Sequence, residues 1–200
     1  PYVYTHPIEK YFMCDIDEFM VNKSERVPPS DDWRTLKKGV LKDYAVYKQK
    51  TPVKYNIVTD DKCHYIIYHL FHAYNGPKRV FGLVPVEDHD GDIENFVVRL
   101  DRETLNVLDY RLSLHGDYTV STKLDKTNTG NPILYSAVNS HALYPKPGTY
   151  FRKFGLGNDQ AAKGAGTQTV PQPALRSASW ADKNGRLFKK IEQSFKDPRS

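Results

Sequence analysis

The sequence predicts a mainly β fold, a β-sandwich of jelly-roll type with a few short peripheral helices. Three observations lead there. Fourteen Tyr and nine Phe in 200 residues favour strands, where aromatic side chains fit a pleated, half-buried surface. Runs of strand formers follow one another at short intervals, separated by turns rich in Gly, Asn and Asp. The absence of alternating helical patterns between them argues for a sandwich or barrel and against βαβ units.

The chain opens with Tyr2-Val3-Tyr4 and then His6-Pro7, where the proline biases His6 towards extended backbone. Residues 15–22 read as a short helix, with Ile16, Phe19 and Met20 at helical spacing. Ser30-Asp31-Asp32 is a helix start followed by Trp33, Leu36 and Val40 at helical intervals, and Gly39 keeps that helix short. Residues 63–74, CHYIIYHLFHAY, are apolar on both parities, which predicts a central strand buried on both faces. Residues 93–100, 107–114 and 132–141 read as three further strands, with turns at His89-Asp90-Gly91 and over 127–131.

From residue 155 to 179 the periodicity disappears into Gly, Ala, Gln, Thr, Ser and Pro, the signature of a long surface loop. Residues 186–196 then place Leu187, Phe188, Ile191 and Phe195 on one stripe, as in a terminal amphipathic helix. The domain reading is a β-sandwich over 1–155. Residues 156–200 form a loop and C-terminal helix packed on the same domain.

The chain is 39% hydrophobic and 26% charged, within the range of a folded domain with a proper core. No run approaches the roughly 18 consecutive apolar residues of a transmembrane helix. The net charge is +5, but acidic residues are mixed among the basic ones. Lys37-Lys38 and residues 186–190 are short positive stretches, which argues against a nucleic-acid partner. Cys14 and Cys63 make either one disulfide or two buried thiols, and no CxxC is present. A first residue of Pro1 suggests a processed product or fragment, and Asn22-Lys23-Ser24 is a glycosylation sequon on a secreted chain. The expected location is secreted or extracytoplasmic.

The chemistry concentrates in Glu87-Asp88-His89-Asp90-Gly91-Asp92-Ile93-Glu94. On a strand, Asp92 and Glu94 point to the same face. Two neighbouring carboxylates repel unless a cation or a proton separates them. His89 lies three residues before Asp92 and folds back through Gly91. This predicts a divalent-cation site with His89, Asp92 and Glu94 as ligands, and that donor set suits Mg, Ca, Mn or Zn alike.

His115, beside Gly116, and His141, in Ser140-His141-Ala142, stand at strand ends that converge on the same rim. They are the acid–base candidates. His69 and His72, mid-strand, read as buried packing histidines. Residues 144–153 form an aromatic loop flanked by cations, with Tyr144, Tyr150, Arg152 and Lys153 as the ligand-contacting candidates. There is no Gly-x-Ser-x-Gly, Walker, His-Glu-x-x-His or dinucleotide pattern.

Several pieces resemble the Vps62-related family: Tyr2 to Phe19 with His6-Pro7 and Glu9-Lys10-Tyr11-Phe12, Tyr65 to Asn75, His89-x-Gly91-Asp92-x-Glu94, His115-Gly116, Ser140-His141-Ala142-x-Tyr144-Pro145, and Asn158-Asp159 with Gly164. Two positions depart from that pattern: Ile93 replaces an aromatic, and Asn95 a histidine. The chain is also similar, more distantly, to the NEP1-like necrosis-inducing proteins, whose heptapeptide maps onto His89, Asp92 and Glu94. That similarity implies a sandwich with a cation beneath a recognition surface. The second histidine of the heptapeptide falls on Gly91.

Two functions follow as expectations. One is a cation-dependent recognition or toxin-like module that binds a glycan or lipid head group at one rim. The other is a metal-dependent hydrolase of an anionic, phosphoester-like substrate, with His115 and His141 as acid–base groups. Fold and site together do not fix function.

Overall fold

The computed structural model describes residues 1–17, 47–76, 78–80, 84–86, 89–115, 117–152 and 158–173, with backbone alone for 78–80, 84–86 and 89–90. Within them the chain runs β1 (Tyr2–Thr5), β2 (Lys50–Thr59), β3 (Cys63–Asn75), β4 (Lys78–Val80), β5 (Val84–Val86), β6 (His89–Asp101), β7 (Val107–Leu114), β8 (Asp117–Ser121), β9 (Ile133–Ser136), β10 (Leu143–Tyr144), β11 (Gly148–Tyr150), β12 (Asp159–Ala161) and β13 (Gly166–Pro173). Nine of these strands form one sheet in the order β10-β9-β1-β13-β2-β3-β6-β7-β8. The pairs β11-β12 and β4-β5 stand apart as two-stranded ribbons. Most pairings are antiparallel, but β1 runs parallel to β9 and β13 parallel to β2.

The mainly β expectation is met, but the strands do not divide into two facing sheets of a jelly roll. One sheet curls into a nearly closed barrel, and β10 at one edge comes against β7 near the other. The core shows the curl directly. Val3, Val53, Leu70, Phe96, Leu112, Leu134 and Leu143 come from seven different strands and pack into one cluster. A flat sheet cannot bring β10 and β7 side chains together. Each fully buried apolar side chain of this size contributes on the order of 1.5–3 kcal/mol relative to exposure.

Strand β3 explains the double parity of its sequence. Leu70 faces the barrel interior with Phe96, whereas Cys63, Tyr65 and Ile67 pack on the outer face with Val97. Its burial on both faces is as the run of strand formers predicts. Cys14 and Cys63 are both buried thiols and form no disulfide with each other.

Residues 158–173 depart from the loop expectation. β12 and β13 lie there, and β13 sits inside the sheet between β1 and β2. Thr167 and Thr169 turn inward on β13 and are buried, while Gln168 and Val170 alternate outward. A polar strand of this kind is stabilised by its ladder on both sides rather than by apolar content, so hydrophobic periodicity does not reveal it. Gly164 has its own steric reason. A Cβ there would meet the Thr5 carbonyl oxygen and stand 2.7 Å from the Pro7 nitrogen.

Among the described residues no element is a helix, although Ile16 and Asp17 take helical backbone and Asp15 accepts the Asp17 N–H at 2.9 Å. The remainder of that predicted helix and the predicted helices beginning at Asp31 and Arg186 lie outside the described residues. No helix among those described is long and apolar enough to cross a membrane.

Candidate functional site

Strand β6 carries the two carboxylates selected from the sequence. In the β3–β6 ladder Asp92 lies opposite His72 and Glu94 opposite Leu70. Gly91, at φ 68, supplies the left-handed backbone just before them. The two carboxylates then go to different partners. Glu94 accepts from the Ser113 hydroxyl, and Asp92 pairs with Nδ1 of His141 at 3.1 Å. The side chain of His89 lies outside the described residues; its backbone pairs with Asn75. Among the described residues no three His, Cys, Asp or Glu side chains are grouped so as to hold a metal ion.

His141 reaches Asp92 because the β9–β10 connection is folded tightly. The Ala137 N–H donates to the Ala142 carbonyl and the His141 N–H to the Ala137 carbonyl. Asn139 and His141 sit at φ 64 and 54, a left-handed conformation that costs a non-glycine residue about 1–3 kcal/mol. Glu9 fixes this turn from the other side. Its carboxylate accepts the backbone N–H of Lys10 and Tyr11, each at 2.8 Å, and that of Asn139 at 2.5 Å.

His141 stacks on His72, and its Nε2, 3.8 Å from a Glu9 oxygen, has no hydrogen-bond partner among the described residues. Burial, with His141 second, holds the His72 pKa well below its ordinary value. His141 is 0% exposed, so it belongs to the framework beneath the rim.

A second polar centre lies one residue away along the chain. Asp159, fully buried on β12, accepts from Ser140 Oγ at 2.8 Å, Tyr144 OH at 2.7 Å and His115 Nε2 at 2.5 Å. A buried carboxylate is tolerable only with such compensation. As an ionised acceptor it requires His115 to carry its proton on Nε2. His115, at φ 51, is also left-handed. Burial first, and then the bond to Asp159, push the Tyr144 phenol pKa upward. Ser140 and His141 therefore tie the two centres together, one side chain bonded to each.

His115 opens onto a cavity of about 420 Å³ that it shares with Leu114, Tyr144, Tyr150, Phe151 and Arg152. The rings of Tyr144 and Tyr150 are stacked, with centroids 3.7 Å apart and planes 15° from parallel. Tyr150 donates its hydroxyl to the Lys146 carbonyl at 2.7 Å, which holds its ring in place. Phe151 stands at the rim, 82% exposed. Arg152 is anchored by its own N–H, which donates to Asn158 Oδ1 at 3.2 Å.

The structure thus separates the sequence-selected residues into two groups. Asp92 and His141 meet beneath the rim, and His115, Tyr144, Tyr150 and Arg152 share the cavity. Lys153 lies outside the described residues. His69 and His72 are buried, as expected for mid-strand histidines. Sequence reasoning assigned no role to Asp159, Glu9 or Ser140. All three lie in the segments that carry the family resemblance, Glu9-Lys10-Tyr11-Phe12, Ser140-His141-Ala142 and Asn158-Asp159, which was the signal that could have found them.

The profile of a family described as vacuolar protein sorting-associated protein 62 matches residues 26–169. No curated protein gives a significant match. Among solved structures, NLPPya in complex with glucosamine shares 15% identity at a TM-score of 0.55, covering 98% of this chain and 86% of that one. A structure described as a toxin fold for microbial attack and plant defense shares 16% identity at a TM-score of 0.52, covering 91% and 74%. The chain spans 45% of the length of necrosis and ethylene inducing protein 2 from the causal agent of cocoa's witches' broom disease. That match has 20% identity, covers 48% of this chain and has a TM-score of 0.39. The first two likenesses establish a shared fold.

Proposed function

We propose a recognition function for this chain, which belongs to the vacuolar protein sorting-associated protein 62 family: its aromatic cleft binds a sugar ring. The observation that carries this reading is the stacked Tyr144–Tyr150 pair beside His115 and the exposed Phe151. A pyranose has apolar C–H faces that pack on aromatic rings and hydroxyls that need polar partners at the edge. Here Tyr150 and Phe151 supply the apolar surface, and the buried Tyr144 backs the Tyr150 ring. His115 supplies the polar edge: with Nε2 committed to Asp159, its Nδ1 has no protein partner among the described residues. The related fold that holds glucosamine supports a sugar as the ligand class, as does the secreted or extracytoplasmic setting we propose for the chain. Sugar head groups of lipids belong to the same class.

The test is calorimetric titration of the chain with monosaccharides. Binding near 1 mM, about −4 kcal/mol, that disappears in Tyr150→Ala would support the proposal. Titrations that stay flat across neutral, amino and acidic sugars would remove it.

A metal-dependent hydrolase is the second reading, favoured by one arrangement. His115 is oriented by a buried carboxylate, as a general base requires. The cation it needs is a separate proposal, supported by His89, Asp92 and Glu94 sharing β6 around Gly91. To hold it, Asp92 would have to leave His141 and Glu94 would have to leave Ser113. Thermal unfolding after chelation and then with Mg, Ca, Mn or Zn decides this, because an ion bound only by the folded state raises Tm.

A further inference from the structure

We propose that the sugar taken by this cleft is acidic, a pyranose bearing a carboxylate, and that Arg152 recognises its charge. The inference rests on the glycan-binding reading above and specifies its ligand.

The charges around the cleft are unevenly satisfied. Lys146 is paired with Asp125 at 2.5 Å. His115 is bonded to Asp159. Arg152 has no carboxylate partner among the described residues, although its backbone is fixed by Asn158. Its position relative to the aromatic floor is also informative. Arg152 lines the same cavity as Tyr144 and Tyr150, and its positive charge opposes the rise in the Tyr144 phenol pKa that burial and Asp159 impose.

Asp117 is the competing charge in the same cavity. Its carboxylate accepts the Tyr118 N–H at 2.8 Å, and it is not among the groups acting on Tyr144 or Tyr150. The carboxylate nearest Tyr144, that of Asp159, is buried and already taken up by Ser140, Tyr144 and His115, so of the charges that line the cavity Arg152 is the one beside the aromatic floor. A guanidinium is a rigid planar fork that matches a carboxylate in two parallel hydrogen bonds. A uronate-type ring presents both required features together: a C–H face for Tyr150 and Phe151, and a planar carboxylate at its edge for Arg152.

The experiment is titration of the whole chain with glucuronate, glucose and glucosamine, for the wild type and for Arg152→Gln, Arg152→Lys and Tyr150→Ala. Circular dichroism would confirm that each variant is folded. The expected result is that glucuronate binds at least ten-fold tighter than glucose. Arg152→Gln then removes that advantage, weakening glucuronate at least ten-fold more than glucose, and Arg152→Lys retains part of it. Raised salt weakens glucuronate binding alone.

Equal affinity for glucose and glucuronate with Arg152→Gln silent overturns the inference and leaves the glycan reading intact. Glucosamine binding tightest also overturns it, because recognition would then have passed to Asp117. Binding of none of the three removes the glycan reading, and this inference with it.

Discussion

The imidazoles of His72 and His141 lie face to face, their centroids 3.8 Å apart and their planes 2° from parallel, both shut away from solvent. His72 is held neutral there by burial and by its neighbour. On the outer face of β3, burial lowers the pKa of His69 to about 4. An unfolded histidine takes up its proton near pH 6.5. Stability from these two groups is therefore fully present above that pH and is lost as the pH falls, for His69 down to about 4. Each contributes a slope of about 1.4 kcal/mol per pH unit in that window. Urea unfolding at pH 7, 6 and 5 should show stability falling steadily, and His69→Gln should make the fall shallower. A profile flat between pH 7 and 5 would contradict the burial of both rings.

Asp159 joins three elements through Ser140, Tyr144 and His115. Its removal leaves three buried or half-buried donors without their acceptor, each costing about 1–3 kcal/mol. Asp159→Ala is expected to destabilise the chain by about 3 kcal/mol or more, against about 1 kcal/mol for Ser140→Ala. Comparable urea midpoints for the two variants would show that Asp159 is not the hub.

Phe151 tests the opposite property. At 82% exposure it contributes little to the fold, so Phe151→Ala should change unfolding free energy by less than about 0.5 kcal/mol. The same change should weaken sugar binding, because the cleft loses apolar surface. Loss of stability with unaltered binding would place Phe151 in the packing and outside the site.

Gly164 is fixed by contact. A methyl group there would press on the backbone of Thr5 and Pro7, where neither atom belongs to a movable side chain. Gly164→Ala is expected to cost about 1–3 kcal/mol and to lower Tm. A neutral effect would mean that β1 and the 162–165 segment yield readily.

Much of the sheet is readable along the chain, and the reasons are particular. Residues 63–74 predict a two-sided central strand because their apolar side chains occupy both parities, and β3 packs Leu70 inward and Ile67 outward. Strand β7 matches the predicted span 107–114 residue for residue. The predicted strand over 132–141 is cut at Ser136 because Asn139 and His141 adopt left-handed backbone, which β-propensity does not register. β13 escapes notice because Gln, Thr and Pro carry no hydrophobic alternation, yet strands on both sides satisfy its ladder.

The site was legible only in part, for a similar reason. The spacing of Asp92 and Glu94 on one strand is local, and so is the aromatic run that supplies Tyr144, Tyr150 and Arg152. The partners are not local. Asp92 meets a histidine 49 positions away and His115 an aspartate 44 positions away. Only the closure of the barrel brings those pairs together.

The most direct test of the glycan-binding cleft is a two-dimensional amide NMR titration of the whole chain with glucuronate. The account predicts saturable shifts confined to His115, Tyr144, Tyr150, Phe151, Arg152 and their neighbours, absent in Tyr150→Ala. Shifts that cluster on another face, or that persist undiminished in Tyr150→Ala, would contradict it.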